Sequence, residues 1–317
     1  MGRLFTFLTG AVVLCTVALP QAAFSAEKEK VFFLLPNSTT TRFENRDAPF
    51  FIDAMLEKAP DVELTLVNAQ GDPAQQQRQV ENAIAQGADL LLFTSADANL
   101  AAGSLRSAEE ANVPVVLYDH DAVGGRADAH VVFDSLSVGR AQGKRAAELI
   151  EAMEKTPVRV ARIKGNQGEY GTGQYEKGQN EFLQPLIDSG KVEVVCEQYT
   201  QDWNPLVAQM FAEDCLTRTG GNVDVFLGMN DGTTGGAVAA LIGQGYGPGE
   251  KLVTGGQDAT VEALRYIAQG WQDNSILKDL RVEAAYAADV VVSILQGNGV
   301  PQELVNGSVN NQYMDVP

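Results

Sequence analysis

Asp89-Leu90-Leu91-Leu92-Phe93 and, one helical stretch later, Val115-Val116-Leu117-Tyr118-Asp119 decide the fold. Each is a short run of consecutive apolar residues without polar alternation, the composition of a strand buried on both faces of its sheet. Residues 100–112 between them read as a helix. Strand, helix and strand with buried strands means a parallel sheet flanked by helices. Outward from this unit, residues 31–35 supply a further apolar run. Asp72-Pro73 is an N-cap followed by proline at the first helical position; Val80 and Ile84 share a face of the helix it opens, and Gly87 ends it. The same programme recurs in the second half. Residues 158–163 and 192–195 read as strands, 175–187 as a helix, and Asn204-Pro205 is again a cap followed by proline. Val223-Asp224-Val225-Phe226-Leu227 has the character of the Asp89 run, and Leu252-Val253-Thr254 that of the Val115 run. An acid closes each unit, Asp119 in one and Asp258 in the other, at spacings of 30 residues from Asp89 and 34 from Asp224. Two similar Rossmann-like α/β lobes with parallel sheets are the economical reading, and 317 residues fit two domains of ordinary size.

The first residues fall outside that programme. Arg3 is the only charge among the first 26 positions, residues 4–19 are largely apolar, and Ala23-Phe24-Ser25 precedes the abruptly charged Glu27-Lys28-Glu29-Lys30. Basic, apolar, then small residues is the layout of a cleaved secretory signal peptide over residues 1–25, and the apolar stretch is shorter than the ~20 residues of a spanning helix. The expectation is a secreted protein. The whole chain has a net charge of −18, from 41 acidic and 23 basic residues. Such a surface repels nucleic-acid phosphates and anionic lipid, so no nucleic-acid partner is expected, and it favours a soluble monomer. Once Cys15 leaves with the signal, Cys196 and Cys215 remain. They fall near the end of a strand and late in the helix that runs back beside it, which suits either a disulfide or two buried thiols.

In open parallel sheets, ligands bind beyond the carboxyl ends of the strands. The polar residues at those ends are 37–43, Ser95, and Asp119 with His120 in the first lobe. In the second they are 167–170, Trp203, Asn230 with Asp231, Gln257 with Asp258, and Lys278 after the strand Ser275-Ile276-Leu277. Carboxylates, carboxamides, cations and rings are what a sugar needs, because each hydroxyl both donates and accepts while its C–H face packs on an aromatic. Each residue also has a purely structural reading: Asn230 as the cap of a helix over 232–241, Trp203 as core, Lys278 as a solvated charge. Enzyme readings are weaker. His120 and His130 lack metal-ligand spacing, no phosphate-cradling loop or Gly-x-Ser-x-Gly turn is present, and no cofactor is implied. The glycine-rich 165–173 follows a strand and enters a helix without the dinucleotide spacing, and reads as a cleft loop. Asp119 and Asp258 facing each other leave a glycoside-processing enzyme as a rival class.

Val116-Leu117-Tyr118-Asp119, Phe133-Asp134 with Val138-Gly139, Asn230-Asp231-Gly232-Thr233-Thr234-Gly235-Gly236-Ala237, Gly256-Gln257-Asp258-Ala259, and Asn310-Asn311 with Asp315-Val316-Pro317 together resemble the type I periplasmic binding proteins of sugar ABC importers, in particular their xylose-type receptors. The resemblance runs from about Lys30 to Pro317. It implies two lobes joined by crossovers, 29–134 plus 279–305 and 135–278 plus 306–317. It also implies a monosaccharide gripped by Arg42, Phe43 and Asp119 from one lobe and by Trp203, Asn230, Asp258 and Lys278 from the other. His120 and Tyr170 complete the expected set from the strand-end reading. The implied partner is an ABC permease in the inner membrane; a sugar-sensing receptor for a chemoreceptor or histidine kinase is the alternative on the same fold. Three departures stand out: His120 where such receptors carry Arg, Phe43 where they carry Trp, and no Asn matching their contact near Glu169-Tyr170-Gly171. The resemblance further implies that relatives continue past Pro317.

Overall fold

The computed structural model describes residues 1–2 and 28–317; the signal peptide expected over 1–25 lies, from residue 3 onward, outside the described residues, as does Cys15. The apolar runs become strands of two parallel sheets. In chain order the first lobe comprises β1 (Lys30–Leu35), α1 (Ala48–Lys58), β2 (Glu63–Asn68), α2 (Pro73–Ala85), β3 (Leu90–Phe93), α3 (Ala102–Glu110), β4 (Val115–Tyr118) and β5 (Ala129–Val131). Its sheet has the order β2-β1-β3-β4-β5, every pair parallel. The second lobe comprises α4 (Ser135–Glu151), β6 (Val158–Lys164), α5 (Tyr170–Asp188), β7 (Val192–Tyr199), α6 (Pro205–Thr219), β8 (Val225–Leu227), α7 (Asp231–Gly243), β9 (Leu252–Thr254), β10 (Gly256–Gln257), α8 (Val261–Ala268) and β11 (Ser275–Ile276). Its parallel sheet runs β7-β6-β8-β9, with β10 and β11 paired beside it.

Burial on both faces follows from the absence of alternation. Val31, Phe33 and Leu35 of β1, with Val116 and Tyr118 of β4, pack into one cluster. Phe32 and Leu34, with Val115 and Leu117, pack into another on the opposite face. In the second lobe Val158 and Val160 likewise face away from Ala161 and Ile163. Asp72 and Asn204 cap as their sequences predict, accepting the Ala74 and Leu206 N–H at 2.9 Å. Helices α4 and α5 approach so closely that a Cβ on Gly143 would lie 2.6 Å from the Gln179 Cα, a contact only glycine permits. Cys196 on β7 and Cys215 on α6 form a disulfide, Cα–Cα 6.1 Å.

After β11 the chain returns to the first lobe as α9 (Leu280–Leu295), which adds Ala284, Ala287 and Val291 to the core beneath β1 and β4. The short antiparallel pair β12 (Val309–Asn310) and β13 (Asp315–Val316) follows. Residues 306–317 are expected with the second lobe, yet the bonds of this segment run to the first. Gly124 N–H donates to Asn311 O (2.9 Å), the Asn311 amide donates to Gly125 O (2.9 Å), His130 N–H donates to Pro317 O (2.7 Å), and Val316 enters the first-lobe core. The physical reason is backbone pairing: the open end of the first lobe's sheet, at β5, leaves polar groups that the terminal residues satisfy.

Candidate functional site

The carboxyl ends of the two sheets open onto one narrow cavity of about 40 Å³, lined from both lobes. Eight of the nine residues expected there line it: Arg42, Phe43, Asp119, His120, Trp203, Asn230, Asp258 and Lys278. Tyr170 does not. Its ring turns toward a separate groove beside Tyr286 and Leu304, because Tyr170 is the first residue of α5 and its backbone N–H is aimed at the Asp121 carboxylate (3.3 Å). The neighbouring Glu169, and Tyr175 one turn on, take the place expected for it.

Arg42 is the hub. A π-helical turn over Phe43–Asp47 stacks residues five apart, which sets Asp47 directly against Arg42. The Arg42 guanidinium donates twice to Asp47 (2.9 Å each) and reaches Asp119, Asp258 and Glu283 at 3.2 Å. Lys278 pairs with the same two strand-end acids, Asp119 at 3.3 Å and Asp258 at 3.2 Å. A cation from each lobe therefore bridges an acid of the other, and all four side chains are almost wholly buried. Burial disfavours the charged form, but the Arg42 and Lys278 charges outweigh it at Asp119 and hold that carboxyl well below the usual range. Glu283 moves the opposite way, raised well above its ordinary value by burial and by the nearby Asp119 charge.

Both strand-end acids sit in the left-handed region, Asp119 at φ 56° and Asp258 at φ 93°. Non-glycine residues there cost roughly 1–3 kcal/mol each, and here the conformation turns both carboxylates into the cavity. Trp203 shares it, at φ 53°, with its ring edge-on to Tyr175 (centroids 6.2 Å apart) and its indole N–H donating to Glu169 (2.8 Å). The Asn166 amide holds the other Glu169 oxygen (2.9 Å). Phe43 meets the His120 ring edge-on at 5.3 Å, and His120 Nδ1 lies 3.0 Å from the Ser95 carbonyl.

Asn230 combines both of its expected readings. Its Oδ1 caps α7 by accepting the Thr233 N–H (2.8 Å), which leaves the amide N–H₂ as the half that can donate to a ligand. Asp231 turns away from the cavity, accepting Ser275 Oγ–H and Thr260 N–H at 2.7 Å, and burial beside Asp258 pushes it up to about 7.

Several contributors lie outside the strand-end pattern. The paired amides Gln142 of α4 and Gln179 of α5 bond each other (3.0 Å). They donate to the carbonyls of Met229 (2.9 Å), Gly255 (2.7 Å) and Gly228 (3.0 Å), clamping the loops that carry Asn230 and Asp258. Asp47, Asp121 and Glu283 were equally hidden. The only sequence signal for them is the surplus of acids near the cavity's cations.

A family model described as a periplasmic binding protein domain matches residues 31–299. Among curated proteins, the D-xylose-binding periplasmic protein of Escherichia coli (strain K12) is 27% identical over 309 residues, covering 96% of this chain and 89% of the relative. The D-xylose-binding periplasmic protein of Haemophilus influenzae is 30% identical over 250 residues, covering 79% and 72%. Among solved structures, an ABC-transporter solute-binding protein from Clostridium phytofermentans with bound β-D-glucose superposes with a TM-score of 0.83 at 25% identity, covering 91% of each chain.

Proposed function

This chain belongs to the periplasmic binding protein family, and from that premise we propose that it captures a xylose-like monosaccharide between its lobes in the periplasm and delivers it to an ABC permease. The observation that carries the reading is the shared cavity, where Asp119 of one lobe and Asp258 of the other turn on left-handed backbone toward the same two cations. Ordered carboxylates and cations make the stronger hydrogen bonds to hydroxyls, about 1.5–3 kcal/mol each. Several such bonds, with Phe43 and Trp203 against the ring's C–H face, reach the roughly −8 kcal/mol of micromolar binding after ordering costs.

The lobes proposed are 29–134 with 279–305 and the closing segment to Pro317, against 135–278. The crossovers near 134 and 279 then act as the hinge. Closing on the sugar is the event a permease would read, because only the closed form presents both lobes in one fixed relation. Relatives named for xylose and a structural neighbour holding glucose support a pentose or hexose as the ligand.

Titrating pentoses, hexoses and cyclic polyols while following intrinsic tryptophan emission and melting temperature tests the reading. Trp203 lines the cavity, so a bound sugar is expected to change its emission and to raise Tm in step with concentration. A full panel that moves neither signal would defeat it.

A further inference from the structure

One end of the cavity carries two carboxylates, Glu169 and Asp121, with the His120 ring as the basic group beside them. Arg42 and Lys278 are engaged with Asp47, Asp119, Asp258 and Glu283 at the other end. Glu169 of the second lobe and Asp121 of the first line the cavity together, close enough that burial and the Glu169 charge push Asp121 up to about 6. What holds these two carboxylates is neutral: the Trp203 indole N–H and the Asn166 amide on Glu169, and the Tyr170 backbone N–H on Asp121. Neutral donors orient a carboxylate without cancelling its charge. His120 is the cavity-lining base nearest this end: burial disfavours its charge, but the Glu169, Asp119 and Asp121 charges outweigh that and raise it, while its Nδ1 is directed at the Ser95 carbonyl and its Nε2 toward Asp119, 3.8 Å away, so it offsets at most one of the carboxylates.

A second, separate feature points to a ligand with spare donors. Gln257 is 3% exposed and lines the same cavity, and its Oε1 has no hydrogen-bond partner. A buried acceptor left unpaired costs about 1–3 kcal/mol, so an arriving N–H or O–H there is favoured. A hydroxyl brings one donor together with lone pairs that two carboxylates would repel. A protonated amine brings three donors, no acceptor and a positive charge.

We infer that the ligand is an amino sugar or an amino-substituted cyclic polyol, with its ammonium group seated between Glu169 and Asp121 and its hydroxyls at Arg42, Lys278 and Asn230. This rests on the reading of the cavity as a sugar site and names the class of sugar.

Calorimetric titration of the wild-type protein with matched sets tests the inference: D-glucose, D-glucosamine and N-acetyl-D-glucosamine, the galactose counterparts, and myo-inositol beside an amino-deoxy-inositol. In at least one set the amine is expected to bind about tenfold or more tighter than its hydroxyl counterpart, the gain expected of a charge-assisted over a neutral hydrogen bond. N-acetylation, which removes the charge, is expected to abolish the gain. In E169Q the amine's advantage over its matched hydroxyl counterpart should vanish, whatever the absolute affinities become. If neutral sugars bind and no amine exceeds its counterpart, this inference is overturned and the sugar reading stands. If neither kind binds, both fall.

Discussion

The two lobes present the same acid to the same cavity and support it by different means. In the first lobe, Asp119 is held by charge: Arg42 at 3.2 Å, itself anchored by Asp47 and Glu283, with the Tyr118 hydroxyl donating to Asp47 at 2.7 Å. In the second, Asp258 meets the same two cations at 3.2 Å, but the loops bearing it and Asn230 are held in addition by neutral amides, Gln142 and Gln179 on backbone carbonyls, and the lobe carries the Cys196–Cys215 disulfide. An ion cluster fixes geometry only while every member is present, whereas an amide lattice distributes the constraint over many modest bonds. The contrast makes the first lobe the more fragile half of the site.

Removing Arg42 gives the largest expected effect. R42M leaves four buried carboxylates with Lys278 as the cation still bridging two of them. Breaking a buried pair typically costs ~3–5 kcal/mol, so urea titration should show a loss of that order together with loss of sugar binding. K278M should lose less stability, because Asp119 and Asp258 keep Arg42. Equal losses in the two variants would erase the proposed asymmetry between the lobes.

Next in size is the disulfide. Cys196 and Cys215 are 19 residues apart, and closing a loop of about that length is worth ~3 kcal/mol by chain entropy. Pairing C196A with C215A should lower the calorimetric Tm and leave ligand affinity within about twofold, since neither residue lines the cavity. A large drop in affinity at preserved Tm would place the staple in the binding machinery instead of in the second lobe's scaffold.

The same contrast explains what the sequence disclosed. Strand-end acids such as Asp119 and Asp258 were legible because one terminates an apolar run and the other follows the matching run at a similar spacing in the second unit, and Asp72 and Asn204 because proline marks the helix they cap. Gln142 and Gln179 were not: a polar residue inside an amphipathic helix reads as solvated, and only the tertiary approach of α4 and α5 buries it. Glu283 looked like an ordinary acid in the first turn of a helix, and Asp47 met Arg42 only through a π-turn that propensity does not specify. Tyr170 was misplaced by one residue, since nothing in 167–170 indicates where the loop ends and α5 begins. Residues 306–317 were expected with the second lobe, whereas Asn311 and Pro317 bond to the first, because so short a segment carries no periodicity to tie it to a sheet.

The smallest expected effect separates the lobes by the sign of their pH dependence. Asp231 in the second lobe, facing Asp258, is raised from 3.8 to about 7. Between those values the unfolded chain has released a proton that the folded protein keeps, so stability falls as pH rises through that window. His130 in the first lobe, facing Asp119 and His120, is lowered by burial from 6.5 to about 4. Between about 4 and 6.5 the unfolded chain carries a proton that the folded protein lacks, so its contribution rises with pH. In the parent these slopes oppose each other, and Asp121 adds to the falling one. Differences from the parent isolate each slope because Asp121 is common to all the chains. Relative to the parent, D231N should become progressively more stable as pH climbs from 4.5 to 7.5, and H130Q progressively more stable as pH drops from 6.5 to 4.5. Urea midpoints at four pH values would read both slopes, and difference curves that run flat or tilt the same way would remove protonation from the list of ways the two halves differ.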